Sequence, residues 1–445
     1  MSEFLKFAEK LISGMFPFAL LMLCGLYLTF KGRFYQFTKL FDSVKLIIKA
    51  LSAKKQKNAG VSSFQSACTA LSATVGTGNI AGVAGAVSIG GAGAIFWMWI
   101  SALLGMAIKC AEITLAILFR EKKSGEFVGG PMYYIKNKLP KGLKFLSAGF
   151  ALAGIPAAFC TGNITQSNSA ILLISDKFCI RLTAGIIFTV LTASVVLGGA
   201  ERIGKVTEKV IPLMSVLYTL LSLGVIILNI DFLPQAFKMI IGGAFNPKSV
   251  TGGCVGSVIS CVITGASKGI FSNEAGLGTS AMAHSAAFDA NAQTQGLFGI
   301  FEVFIDTILI CTLTGLTIIC SRVNIDYGLL STAELVGDAF SVCYGRISSV
   351  ILAVMMCFFA ISSAIGWALY GDICSSFLFG EKGRKIFMRI YPFGCLVGAL
   401  TNAEFAWRIS EFFNGIMLCI NLPAVLMLSD NLLIMRGTKN DTRKT

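Results

Sequence analysis

Two stretches of this sequence place glycine and small polar residues inside long apolar runs. One is Leu71-Ser72-Ala73-Thr74-Val75-Gly76-Thr77-Gly78-Asn79-Ile80. The other is Gly265-Ala266-Ser267-Lys268-Gly269-Ile270-Phe271-Ser272-Asn273-Glu274-Ala275-Gly276-Leu277-Gly278. Such residues weaken a continuous helix. Unwound backbone in a membrane is tolerated only where protein or a wet cavity satisfies it. A break at Gly76–Asn79 leaves a half-helix starting near Asn79, whose free N–H groups can hold a carboxylate. The half-helix before it ends near Val75. Carbonyls there and at Gly76 can ligate a hard, oxygen-preferring cation such as sodium. Gly78 lets a ligand approach the backbone closely. A tight helix crossing through small residues would use the same positions, but a matching second break points to a binding site.

The second stretch adds side chains. Ser272 and Asn273 offer neutral oxygens, and Phe271 is placed to close over a ligand. Glu274 is the acid within this break, and an intramembrane acid is a functional candidate by default. It can balance an ammonium, help hold a cation, or brace the unwound backbone. His284 reads as a packing residue rather than a proton relay. Gln166, with Asn163 and Asn168, offers hydrogen bonds from another run; interhelical glue is the alternative use. Ser362 and Ser363 precede Gly366 and Trp367. Two hydroxyls facing the first break would complete a sodium shell, unless they bond back to their own helix. Trp367 can wall off a small pocket. Lys109 and Glu112, at i,i+3, are expected to pair. Glu302 and Asp306 share a face, either as a gate network or as loop-end charges. Thr312 and Thr314 are weaker polar candidates.

Elements that position these residues must cross a bilayer. The 445 residues are 55% hydrophobic and 13% charged, against about 25% charged in soluble domains. Mean hydropathy is +0.76. A span needs about 20 mostly apolar residues. Eleven candidates fit, at 12–30, 61–90, 93–119, 143–175, 182–199, 207–229, 249–286, 295–321, 346–374, 385–402 and 408–435. With the first set aside, each break falls in the leading member of a group of five. Five is odd, so the two groups run in opposite directions. Paired interrupted helices in that arrangement point to an inverted-repeat secondary transporter. The chain then divides into an extra helix and loop (1–60), a first repeat (61–229), a second repeat (249–435) and a tail (436–445), forming one transport unit.

The formal charge is +14, but the basic residues occupy short gaps between apolar runs, the pattern of topology determinants rather than of nucleic-acid binding. With the N-terminus outside and the C-terminus cytoplasmic, 26 of the 37 Lys and Arg residues fall on the cytoplasmic side. The 14 cysteines contain no C-x-x-C pair, and there is a single histidine. Zinc-site spacing is therefore missing, as are a phosphate-binding loop and a nucleophile–base constellation. No enzyme and no resident cofactor are expected.

Several stretches together resemble the alanine or glycine:cation symporter family, of the LeuT-type fold in the amino acid–polyamine–cation group. They are Gly76-Thr77-Gly78-Asn79-Ile80-Ala81-Gly82-Val83-Ala84, Phe96-Trp97-Met98-Trp99, Gly105-Met106-Ala107 through Glu112, Gly129-Gly130-Pro131-Met132-Tyr133-Tyr134, Gly269 through Gly278, and Gly366-Trp367. The resemblance implies a multi-pass cell-membrane protein with eleven helices. It implies symport of sodium, or of protons, with alanine or glycine. It gives Thr77, Gly78, Gln166, Phe271, Ser272, Glu274, Ser363 and Trp367 roles in the pocket or its ion site. Two departures stand out. Gly90-Gly91-Ala92-Gly93-Ala94 lacks the family's proline, and Ser362-Ser363 replaces Ser-Thr. The readings that compete are a same-fold carrier of another solute and, further off, a channel or receptor.

Overall fold

The computed structural model describes residues 15–52, 60–123, 125–247, 251, 257–329, 332–345 and 347–436. Among them, seven helices are long and apolar enough to cross a membrane. The pair Ser63–Thr74 and Thr77–Gly90, bent by 51°, makes an eighth span. Met15–Lys31 is a shorter apolar helix. The 44-residue run Ile347–Ile390 is divided at Gly380, which takes φ 64° and ψ −160°. That conformation suits glycine alone.

Burial ranks the helices. The best apolar window of Gly93–Leu118 is 89% buried, while that of Phe178–Val196 is 22% buried. The first is the central post, packed against both halves of the second broken span. The second turns Ile187, Val190 and Leu191 outward, as a lipid-facing helix must where the surroundings are apolar. The apolar core follows the central post, gathering Val83, Val87, Ile95 and Met98 on one side and Ile108, Ala111 and Leu115 on the other.

Several expectations shift. The candidate at 207–229 begins earlier, as Gly199–Leu228, so residues 200–206, left between two candidates, are helical. The candidate at 249–286 starts its described helix at Val258; residues 248–250 and 252–256 lie outside the described residues, as do 12–14 of the first candidate. The described part of the candidate at 346–374 runs on as helix to Gly380, where a kink parts it from the helix that leads into the candidate at 385–402; residue 346 lies outside the described residues. The chain is also not purely helical. Glu121–Lys123 pairs antiparallel with Glu126–Val128, a hairpin in the basic loop. Further helices, Leu40–Ser52, Leu233–Phe245 and Ala333–Tyr344, lie between the spans.

Two spans carry π-helical turns, Ala158–Ile164 and Phe304–Cys311. The wider turn re-aims the side chains that follow it, and such turns recur at functional sites. Here they aim Gln166 and Asp306.

Candidate functional site

The first broken span winds as an α-helix from Ser63 to Thr74, with Val75 leaving it at ψ 90°. Gly76 is fully extended, and Thr77–Asn79 form one 3-10 turn before the helix resumes at Ala81. The freed donors are taken by side-chain amides. Asn79 Oδ1 accepts from Gly76 N at 2.9 Å. Gln166 Oε1 accepts from Thr77 N at 3.0 Å and from its hydroxyl at 2.9 Å.

The second span is α-helical from Val258 to Asn273. Glu274 ends it in the left-handed region (φ 56°, ψ 17°), and Gly276 and Gly278 also take positive φ before a short helix, Thr279–Ser285. A non-glycine residue at positive φ is strained, which marks Glu274 as held by its surroundings. Its carboxylate accepts from the Thr279 hydroxyl at 2.6 Å.

The breaks face each other. A Cβ added to Gly78 would lie 3.2 Å from the Phe271 ring. Phe271 stacks on Trp407 with centroids 4.6 Å apart, and the Lys268 ammonium sits 4.3 Å over that indole while pairing with Glu411 at 2.7 Å. Phe271 also lines a groove together with Phe18, Ser267, Asn414 and Leu418. A Cβ on Gly76 would run into Ser363 Oγ and lie 2.9 Å from Gln166 Oε1. Ser363 Oγ is buried without a hydrogen-bond partner. One helical turn on, Trp367 nests against Gly162, where any Cβ would collide. Its indole faces the Glu274 carboxylate without a hydrogen bond of normal geometry.

So Val75, Gly76, Thr77, Gly78, Asn79, Gln166, Phe271, Ser272, Glu274, Ser363 and Trp367 gather in one region. Ser362 does not join them. Its hydroxyl bonds back to Phe359 O at 2.9 Å and contacts Met214 Sδ, because adjacent helical residues point about 100° apart. Asn163 and Asn168 donate to the backbone of 391–401 and act as interhelical ties. Thr312 receives the Trp99 indole N–H, and Thr314 pairs with Tyr218.

The expected Lys109–Glu112 pair is not formed. Lys109 Nζ donates to Asn273 O at 2.8 Å and pairs with Glu302 at 3.3 Å, placing a cation at the C-terminal end of the half-helix. Glu112 instead accepts from Gly278 N at 3.1 Å and from Asn421, where the chain enters the next half-helix. His284 is not mere packing. It bonds Glu302 and Gln295, both at 2.6 Å.

Asp306 is the residue whose role the sequence left open. It is fully buried, so it is no loop-end charge. Its carboxylate accepts from Asn79 Nδ2 at 2.7 Å on one side and from Ser272 Oγ at 2.7 Å and Thr307 Oγ1 at 2.8 Å on the other. It therefore bridges both breaks. An acid in the apolar run Phe304-Ile305-Asp306-Thr307-Ile308 was the available signal. Among the described residues around the second break, Glu112, Glu274, Glu302 and Asp306 are buried against a single buried ammonium, Lys109. Among the described residues, Glu274 and Asp306 have no cationic group in contact. A buried carboxylate is costly without such a partner, so the site suits cationic ligands.

A model of the sodium:alanine symporter family matches residues 1–442. The sequence is 37% identical over 442 residues to the sodium/alanine symporter AgcS of Methanococcus maripaludis, covering 98% of this chain and 96% of that protein. It is 33% identical over 425 residues to the amino-acid carrier protein AlsT of Bacillus subtilis, covering 93% and 87%. Among solved structures, MhsT in complex with L-phenylalanine matches with a TM-score of 0.59 and 14% identity, over 88% of this chain and 94% of that one. At that identity the likeness speaks for the fold alone.

Proposed function

The chain belongs to the sodium:alanine symporter family, and on that premise we propose that it imports small neutral amino acids, alanine or glycine, together with sodium. Membership makes it a membrane transporter rather than an enzyme, with the LeuT-type fold. Our reading of the finer architecture is eleven spans. Ten form a 5+5 inverted repeat, and the extra helix precedes them. The N-terminus is outside and the C-terminus cytoplasmic, in the cell membrane.

The observation that carries the reading is Asp306, a buried carboxyl held, among the described residues, by neutral donors between two broken helices. Sodium neutralises it, and the hydroxyls of Ser272 and Thr307 then turn their lone pairs inward. Hard cations favour such oxygens. Val75 and Gly76 carbonyls and Ser363 Oγ offer a second oxygen set beside the first break. The substrate carboxylate takes the N–H side of that break, at Thr77, Gly78 and Asn79, where Gln166 now stands in as acceptor. The substrate ammonium lies toward Glu274. Phe271 covers the pocket from outside, and Trp367 against Gly162 limits side-chain length. Because sodium and substrate share the unwound backbone, each raises the other's affinity by the same factor. Alternating access follows when one bundle rocks against the other around the fixed site.

Uptake of labelled alanine into proteoliposomes tests this. We expect saturable accumulation driven by an inward sodium gradient, competed by glycine and not by phenylalanine. Uptake that ignores the sodium gradient and follows a proton gradient overturns the sodium assignment. Uptake of a different solute class overturns the substrate.

A further inference from the structure

A second polar system runs from the site toward the end of the molecule that carries the basic loops, and the transport chemistry above does not use it. It starts at Asn273, whose carbonyl receives Lys109 Nζ at 2.8 Å. Lys109 pairs with Glu302 at 3.3 Å, and Glu302 bonds His284 Nε2 at 2.6 Å. The side-chain amide of Gln295 bonds His284 Nδ1 at 2.6 Å. The same amide reaches Ser66 Oγ at 3.0 Å and Ser63 O at 3.3 Å. Lys109, Glu302, His284 and Gln295 are each fully buried.

The placement of these links gives them a consequence. Ser63 and Ser66 belong to the first half-helix of the first broken span, and His284 to the second half-helix of the second. These two half-helices separate the breaks from that end of the molecule. Around them, Asp289 accepts from Ser63 N at 2.7 Å and Phe288 N donates to Val61 O. The half-helices are thus tied by directional polar bonds rather than by apolar packing alone. Buried polar bonds of this kind form or fail as a set, because one unmatched partner in a low-dielectric interior is costly.

We propose that His284 is a positioning residue, the keystone of an inner latch that holds these half-helices together. The latch parts when the site opens to the cytoplasm. The proposal rests on the orientation and alternating access argued above. Its readout, though, is exposure of one face and does not require uptake to be sodium-driven.

Cys68 supplies the probe. It lies in the Ser63–Thr74 half-helix and is 2% exposed. The other cysteines are replaced, and inside-out vesicles are treated with a membrane-impermeant maleimide, denatured protein defining complete labelling. His284→Ala and Gln295→Ala are each expected to raise the Cys68 labelling rate about fivefold or more, the lower end of ordinary coupling strengths. Maximal uptake falls, while the KM for substrate stays within about twofold, since neither residue touches the pocket. His284→Gln, which still donates and accepts, returns labelling toward the parent. An unchanged rate in Gln295→Ala overturns the latch even if His284→Ala fails to fold. An equal rise in right-side-out vesicles overturns it too, since that reports general loosening. Sodium-independent uptake with the labelling result intact would instead remove the sodium assignment and keep the latch.

Discussion

The two interruptions are satisfied by opposite means. At the first, neutral amides do the work: Asn79 caps Gly76 N and Gln166 caps Thr77. At the second, ions of the protein itself are installed. Lys109 sits on the carbonyl end and Glu112 on the amide of Gly278. A neutral cap gives way to a charged ligand at modest cost, because charge-assisted hydrogen bonds are about twice as strong as neutral ones. Ions installed as part of the protein do not. The first break is therefore built to exchange partners during a cycle. The second is built to keep its backbone shape, while its side chains Ser272 and Glu274 face the ligand positions proposed above.

The largest expected effect breaks the rigid side. Lys109→Met leaves Glu302 and the Asn273 carbonyl without their cation, and such losses cost about 3–5 kcal/mol. Thermal unfolding in detergent should show a lower midpoint even without sodium or substrate. Next is the anion shared by both breaks. Asp306→Asn keeps the shape and removes the charge, and we expect about a hundredfold loss of sodium-driven uptake, within the range of about 1.5–3 kcal/mol for an interaction with a charged group. A retained sodium response in this variant would move the cation site to Val75, Gly76 and Ser363. At the exchangeable side, Gln166→Ala removes the acceptor shared by Thr77 N and Oγ. Each lost buried bond costs about 1–3 kcal/mol, so uptake should fall about tenfold, with stability changed less than in Lys109→Met. The smallest effect sharpens the contrast between neighbours. Ser362→Ala should stay within about 0.5 kcal/mol in stability and leave sodium affinity unchanged, as for changes away from special contacts. Ser363→Ala should weaken sodium affinity measurably. Equal effects from both would contradict the facing of these two hydroxyls.

Both breaks were legible as glycine and polar residues within apolar runs; the first falls at Gly76–Asn79 as read, but the second is confined to Glu274–Gly278, because Gly265 through Asn273 stay helical. Membrane class and the approximate spans were legible for the same reason. The partners were not. Lys109 and Glu112 satisfy the i,i+3 rule, but each finds a better-placed partner on another span. His284 offered no local pattern that would separate packing from a doubly bonded imidazole. The start of Gly199–Leu228 was missed because its first turns carry Glu201, Arg202, Lys205 and Glu208, which hide helix from a hydropathy reading.

Sequence alone determined what is local or summed. Hydropathy set the lipid environment, glycine and polar placement marked the spans in which helices break, and charge distribution set an expected orientation. The tertiary structure decided which groups meet. Two π-helical turns rotate Gln166 and Asp306 into the space between the breaks, and helix rotation turns Ser363 inward and Ser362 away. Contacts between distant spans depend on how rigid helices pack, and a shift of one residue turns a side chain by about 100°. No stretch of sequence read by itself carries that angle.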